Sequence, residues 1–140
     1  MGRLAEEMVG QLSEAASNWW RPGAARSEVL GATREVIDIY ARHGSLFAAL
    51  TETAAYDAEM RAMQVEMVAR HARPLEELIE SGRGDEVRDV HTHETVAALS
   101  WMLQGSCYHL ARGADPEQLD RLAEAATSII WHAIYPDGRS

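Results

Sequence analysis

The sequence predicts an all-α fold of about six helices in a single domain. Apolar residues recur at helical spacing along almost the whole chain. Stretches that alternate apolar and polar residues, as strands do, are nearly absent. The chain has 140 residues, of which 46% are hydrophobic and 25% are charged, so its length and composition are those of one globular domain with a real core.

The first two predicted helices are each followed by residues that end a helix. The first runs from about Arg3 to Trp20 and stops at Pro22. The second runs from about Ser27 to Arg42, and Gly44 suits the left-handed position after its end. Their apolar faces are formed by Leu4, Met8, Leu12 and Trp19 in the first helix and by Leu30, Thr33, Ile37 and Tyr40 in the second.

The third and fourth predicted helices each begin at a residue that can cap a helix. Ser45 can cap a short helix that reaches about Tyr56, and Asp57 can cap a longer one that ends before Gly82. Pro74 lies inside the longer helix, where it removes a backbone hydrogen bond, so we expect a kink there. The apolar stripe of the fourth helix is Met60, Met63, Met67, His71, Leu75 and Leu78.

The last two predicted helices are the most apolar in the chain. Thr92 can cap the fifth, which reaches Arg112 and ends at Gly113. Asp115-Pro116-Glu117-Gln118 is a strong start signal for the sixth, which Pro136 closes. A helix that is apolar on more than one side must bury more than one side, so we expect these two helices to contact a second copy of the chain.

Charge and cysteine content exclude several classes of function. Lys and Arg number 13 against 22 Asp and Glu, which gives a net charge of −9 and disfavours nucleic-acid binding by this segment itself. The single Cys107 cannot form an internal disulfide, which suits a cytoplasmic protein. We expect no membrane span and no signal peptide, because the chain contains no apolar run of the required length.

The residues that could carry chemistry do not form a recognisable catalytic or metal site. His91 and His93 are two residues apart and do not share a helical face, so we expect no metal site. Cys107, Tyr108 and His109 are adjacent and point in different directions on a helix, so they form no nucleophile–base pair. We therefore expect neither an enzyme nor a bound cofactor.

A methionine stripe indicates a cavity that accepts apolar molecules. Met60, Met63 and Met67 lie on one face of the fourth predicted helix, and methionine is common at surfaces that accept varied apolar partners. Four tryptophans point the same way, since large rings often wall a cavity. Among the single histidines, His71 lies in line with this stripe and is the one we expect to face the cavity.

The order of these segments resembles the regulatory domain of the TetR (tetracycline repressor) family of transcription regulators, and within it the EthR-like branch from actinobacteria. The resemblance covers essentially the whole chain. Its cues are, in order, a long first helix, REVIDIYARHGSLFAAL, the long helix with EELIESGRGDEVRD, HETVAALSWMLQGSCYHLARGADPEQLDRL and the closing IIWHAIYP.

The resemblance implies a repressor whose regulatory half binds a small apolar effector. It implies that the last two helices form a four-helix bundle with those of a second copy, and that ligand binding shifts the first helix. Family members begin with a basic helix-turn-helix domain, which this chain lacks. The chain is therefore expected to be either the regulatory half of a longer protein or a naturally shortened one, and DNA binding is expected of a parent protein only.

The apolar stripes and the resemblance together predict two sets of site residues. The predicted ligand-binding residues are Leu30, Ile37, Phe47, Met60, Met63, Met67, Ser100, Trp101 and Gln104. The predicted dimer interface is Gly105, Tyr108, His109, Leu122, Ile129 and Ala133. The alternative is a helical interaction module that binds a partner helix in an open groove and has no cavity for a small molecule.

Overall fold

The computed structural model describes residues 3–16, 24–81 and 90–136, and these residues form six α-helices and no strand. The all-α fold is therefore confirmed. None of these helices is long and apolar enough to cross a membrane. The helices are α1 (Arg3–Ala16), α2 (Arg26–Arg42), α3 (Gly44–Ala54), α4 (Ala58–Ser81), α5 (Thr92–Ser106) and α6 (Pro116–Ile134).

Helices α2 and α4 organise the packing. Helix α2 packs between α1 and α6, and α4 packs against α1, α3 and α5. The core that they share includes Met8, Ile37, Leu75, Val96 and Ile130, all of them almost fully buried. Because α1, α2, α4 and α5 all contribute to one core, a space between them has walls from four separate helices.

The two capping residues predicted for α3 and α5 are wrong by one or two positions. Gly44 and Ser45 are the first two residues of α3, and His43 is the junction residue that separates it from α2. The N–H of Phe47 donates to the His43 carbonyl at 2.9 Å, so α3 starts at once and the chain needs no left-handed residue there. In α5, Thr92 is already helical and His91 precedes it as the cap.

The end of α5 differs from the predicted regular helix. The α-helix stops at Ser106, and Cys107–Ala111 continue it as a π-helical turn. Arg112 then leaves the helix with an extended backbone. Gly113 has a φ of +72°, the left-handed conformation that glycine adopts without strain, so its predicted role at the helix end is confirmed.

The apolar stripes of α1 and α4 are shifted at their ends. Leu4 is 62% exposed, although Met8 and Leu12 on the same predicted face are buried. In α4, Ile79 is buried in place of the predicted Leu78.

Other predicted helix boundaries have mixed outcomes. Asp57 caps α4 as predicted, since its Oδ1 accepts from the N–H groups of Glu59 at 2.9 Å and Met60 at 3.2 Å. Helix α4 runs unbroken through Pro74, and the bend expected there stays a prediction. The predicted end of the first helix at Trp20 and Pro22, and the end signal at Gly82, lie outside the described residues.

The start of α6 carries the capping box that the sequence predicts. The Asp115 carboxylate accepts from the N–H of Gln118 at 2.8 Å, and the Gln118 side chain accepts from the N–H of Asp115 at 2.8 Å. Pro116 occupies the first helical position, where its missing N–H leaves no bond unmade. Two backbone donors are therefore satisfied without help from the rest of the fold.

Replacing Asp115 by alanine is expected to lower the free energy of unfolding by about 1 kcal/mol, because the N–H of Gln118 loses its acceptor. Asp115→Asn is the matched control, since asparagine caps helices about as well as aspartate. Urea denaturation monitored by circular dichroism measures both variants. Equal losses in the two variants would contradict the capping role.

Candidate functional site: two small cavities and the ring pair between them

The first candidate site is a small cavity enclosed by α1, α2, α4 and α5, which we call the polar cavity. Its volume is about 20 Å³, enough for one water molecule. Its walls are largely apolar, but three side chains with hydrogen-bonding groups reach it from α4 and α5. The lining residues are Leu12, Val36, Tyr40, Val68, His71, Leu75, Ser100, Leu103 and Gln104.

Gln104 is the most unusual residue of the polar cavity. Its side chain is only 3% exposed, and neither the amide oxygen nor the amide nitrogen has a hydrogen-bond partner among the described residues. A buried amide left without partners costs about 1–3 kcal/mol of stability. Natural structures contain few such groups, and each calls for an explanation such as a ligand or a bound water.

His71 lines the same cavity from α4 and has the same property. Neither ring nitrogen has a hydrogen-bond partner in the described part of the chain. Burial, with a smaller contribution from the neighbouring charge of Arg70, lowers the pKa of His71 from 6.5 to about 4. The imidazole is therefore neutral near pH 7, with one nitrogen able to donate a hydrogen bond and the other able to accept one.

A second space, which we call the methionine cavity, lies between α3 and α4. Its volume is about 10 Å³. Its one amide, Gln64, is directed to a partner, since Nε2 lies 3.4 Å from the Thr51 hydroxyl. The lining residues are Phe47, Leu50, Met60, Met63, Gln64 and Met67.

The two cavities are neighbours separated by aromatic rings. Tyr40 lines the polar cavity, Phe47 lines the methionine cavity, and their ring centroids are 4.4 Å apart. Along α4, Met67 faces one cavity and the next residue, Val68, faces the other. The Tyr40–Phe47 pair is therefore part of the wall between the two spaces.

The predicted ligand-binding residues divide between these places. Ser100 and Gln104 line the polar cavity, together with His71. Phe47, Met60, Met63 and Met67 line the methionine cavity. Ile37 is fully buried and Leu30 packs on the core, but neither lines the polar or the methionine cavity, and Trp101 is 41% exposed.

Several wall residues were not in the predicted set. Tyr40 was in the predicted stripe of the second helix, and its place one turn from Val36 is a signal that could have identified both. Leu103 and Val68 carry no such signal, because a core leucine or valine looks the same in sequence whether or not it borders a cavity.

The predicted dimer residues lie on α5, the π-helical turn and α6, and their exposure varies. His109 is exposed and Ile129 is 51% exposed. A methyl group added at Gly105 would meet no atom within 4 Å, so its small size is not required by contacts within the described chain. The other three, Tyr108, Leu122 and Ala133, are partly buried against the core.

Tyr108 connects the π-helical turn to the cavities. Its ring packs edge-on against Phe47 with centroids 6.1 Å apart, and its hydroxyl donates to a Glu52 carboxylate oxygen at 2.7 Å. The Arg112 guanidinium lies 5.0 Å from the centre of the same ring. A movement of Phe47 would therefore change its contact with the Tyr108 ring.

The neighbouring Cys107 is buried, and burial raises the pKa of its thiol to about 12, which makes it a poor nucleophile. Within the described residues no three His, Cys, Asp or Glu side chains converge as a metal site would require.

Comparison with known proteins adds no assignment: no protein-family model matches the chain, and a search of curated proteins found no match.

Proposed function

We propose that this chain is the regulatory domain of a TetR-type transcriptional regulator and binds a small, mostly apolar effector. The observation that carries the proposal is the polar cavity, where Gln104 and His71 present unpartnered hydrogen-bonding groups inside an apolar enclosure. Ligand sites typically combine an apolar lining with a few polar groups of this kind. The order of the sequence segments, which resembles that of the family, supports the same proposal.

The proposed control passes through α1. Leu12 of α1 is part of the polar cavity wall, so an effector that expands the cavity would act directly on this helix. In the proposed mechanism the effector favours one of two dimer arrangements and so changes DNA binding through a helix-turn-helix domain of the parent protein in the cytoplasm.

The cavities are smaller than a typical ligand pocket, which spans about 300–1,000 Å³. Binding therefore requires side chains to move apart, and the methionines and the Tyr40–Phe47 pair are the groups able to do so. A thermal-shift screen with a library of apolar compounds tests the proposal. Stabilisation by a subset of compounds is expected, and a screen in which none raises the unfolding temperature would overturn it.

The proposal includes a homodimer formed through α5 and α6. Trp101, Leu110 and Ile129 are large apolar side chains that are 41%, 60% and 51% exposed on these elements and the π-helical turn. Exposed apolar groups of this size favour a partner surface. Sedimentation at tens of micromolar tests it, and a monomer there would contradict the dimer.

Replacing Ile129 by arginine is expected to weaken the dimer by about 30-fold or more, because a charge would be buried against an apolar partner surface. Val65→Arg is the matched control, since Val65 on α4 is 50% exposed and lies outside the proposed interface. Sedimentation equilibrium measures both. Equal weakening by the two variants would place the interface elsewhere.

A helical interaction module is the second candidate, and an open depression along α4 favours it. This depression has a volume of about 310 Å³ and is lined by Ala62, Met63, Glu66, Met67 and Arg70. Methionines in an open groove suit an apolar face of a partner helix. The two candidates are separated by Ala62→Glu, because Ala62 lines this depression and neither cavity. The variant would abolish binding of a partner helix and leave stabilisation by a small molecule unchanged.

A further inference from the structure

We infer that the polar and methionine cavities form two ends of one site, which takes an amphiphile with an uncharged head group that both donates and accepts hydrogen bonds. The head lies between Gln104 and His71, and an unbranched apolar tail passes the Tyr40–Phe47 pair into the methionine cavity. This inference rests on the proposed effector-binding function and names the chemical class of the effector.

The head-group chemistry follows from the unpartnered atoms. The Gln104 amide offers a donor nitrogen and an acceptor oxygen, and a neutral His71 offers one of each. A ligand that satisfies both residues must itself donate and accept, as a primary carboxamide or an alcohol does. A purely apolar molecule would leave all of these groups unpaired.

The absence of charge on the walls excludes ionic head groups. The side chains that line the two cavities include no Arg, Asp or Glu. Arg70, whose charge acts on His71, lines the open depression along α4 and neither of these cavities. Transfer of an ionised carboxylate or ammonium into such an enclosure is strongly unfavourable without a paired charge. The site therefore discriminates against fatty-acid carboxylates and alkylammonium ions of the same length.

The tail chemistry follows from the methionine cavity. Met60, Met63 and Met67 have flexible side chains that can move aside for a hydrocarbon chain. Met60 and His71 are eleven residues apart on α4, a rise of roughly 16 Å along the helix. A short ligand would fill the polar cavity alone, whereas a longer one reaches the methionines.

The Tyr40–Phe47 pair sets the barrier between the two ends. With centroids 4.4 Å apart, the rings close the direct path between the cavities. A tail that passes them must displace Phe47, whose ring also contacts Tyr108 of the π-helical turn. A tail that displaces Phe47 thus acts on Tyr108 and the π-helical turn, whereas a ligand confined to the polar cavity leaves Phe47 in place.

Four probes test the inference on the full chain near neutral pH: octanamide, octanoate, octylamine and butanamide. Isothermal calorimetry measures each dissociation constant. Octanamide is expected to bind about tenfold or more tightly than each of the other three, since each of these lacks either the neutral head or the long tail.

Variants assign the head and the tail to their residues. Gln104→Leu is expected to remove about tenfold of the octanamide affinity, whereas Thr127→Val leaves it unchanged. Thr127 is the matched control because its hydroxyl is also buried and unpartnered among the described residues but lines neither cavity. Phe47→Leu, which shortens the wall but keeps it apolar, is expected to tighten octanamide severalfold and to leave butanamide unchanged.

The outcomes separate this inference from the proposed function. Equal affinities for octanamide and octanoate, or no loss in Gln104→Leu, would overturn the inference. If none of the four probes binds while compounds of the apolar library stabilise the protein, the amphiphile class is wrong and effector binding stands. If neither the probes nor the library bind, both are wrong.

Discussion

Replacing Gln104 by leucine is expected to raise the free energy of unfolding by about 1–3 kcal/mol. Most substitutions in a core destabilise a protein, so an increase here would be diagnostic. The physical reason is that the folded state buries an amide without hydrogen-bond partners among the described residues, whereas water satisfies that amide in the unfolded state. Leucine fills a similar volume and has no polar group to desolvate. Urea denaturation measures the change.

Gln64→Leu is the matched control for this prediction. Gln64 lies in the methionine cavity, but its amide nitrogen is 3.4 Å from the Thr51 hydroxyl, so its removal leaves a hydroxyl without its partner. No gain in stability is expected from this variant. If Gln104→Leu also gave no gain, the Gln104 amide would have to be satisfied in the folded protein, for example by a water held in the polar cavity.

A stabilising effect of Gln104→Leu would also explain why the residue is where it is. Binding sites commonly keep groups that reduce stability, because the same groups are satisfied only when the ligand is present. Gln104 and His71 face the same cavity from α5 and α4, so the loss of stability is concentrated at one place rather than spread over the core. The free energy of unfolding of this variant tests the site without ligand, and its affinity for octanamide tests the site with ligand bound.

The fold was predictable because its signals are local. The capping box of Asp115 and Gln118 and the cap at Asp57 involve residues two or three apart, and both were predicted from sequence. Gly44 misled because a glycine after a helix suits both a left-handed end and the start of the next helix. The π-helical turn at Cys107–Ala111 was not predicted, because its residues follow the same apolar spacing as the α-helix that precedes it.

The cavity was predictable only in part, because it depends on contacts between helices. Ser100 and Gln104 are four residues apart and share a face, which put both on the polar cavity. Trp101 lies about 100° further around the same helix and is 41% exposed, so a ligand role there is not supported by its position. The spacing of residues in the sequence does not indicate whether a buried amide has a hydrogen-bond partner. The unpartnered amide of Gln104 is therefore visible only in the structure.

Stability is expected to fall by on the order of 3 kcal/mol as the pH drops from 6.5 to about 4, through the protonation of His71 alone. The folded state holds the pKa of His71 near 4 because burial disfavours the charged ring, whereas the unfolded chain protonates at its ordinary value of 6.5. Between these values the unfolded state binds one more proton, so acid favours unfolding by about 1.4 kcal/mol for each pH unit. Above 6.5 both states are neutral at this residue, and below 4 both are protonated, so its contribution changes only within that window.

His71→Gln isolates this effect, because glutamine keeps a polar side chain at the position but does not titrate. Urea unfolding at about pH 7 and about pH 4.5 is compared within each protein, so any general effect of the substitution cancels. His132→Gln is the matched control. His132 is exposed on α6, so this substitution removes one histidine without changing the cavity. The wild type and His132→Gln should lose the same stability over this range, and His71→Gln should lose about 2–3 kcal/mol less. Equal losses in all three proteins would mean that His71 is already accessible to protons in the folded state, and the enclosed, neutral imidazole on which the head-group chemistry depends would be wrong.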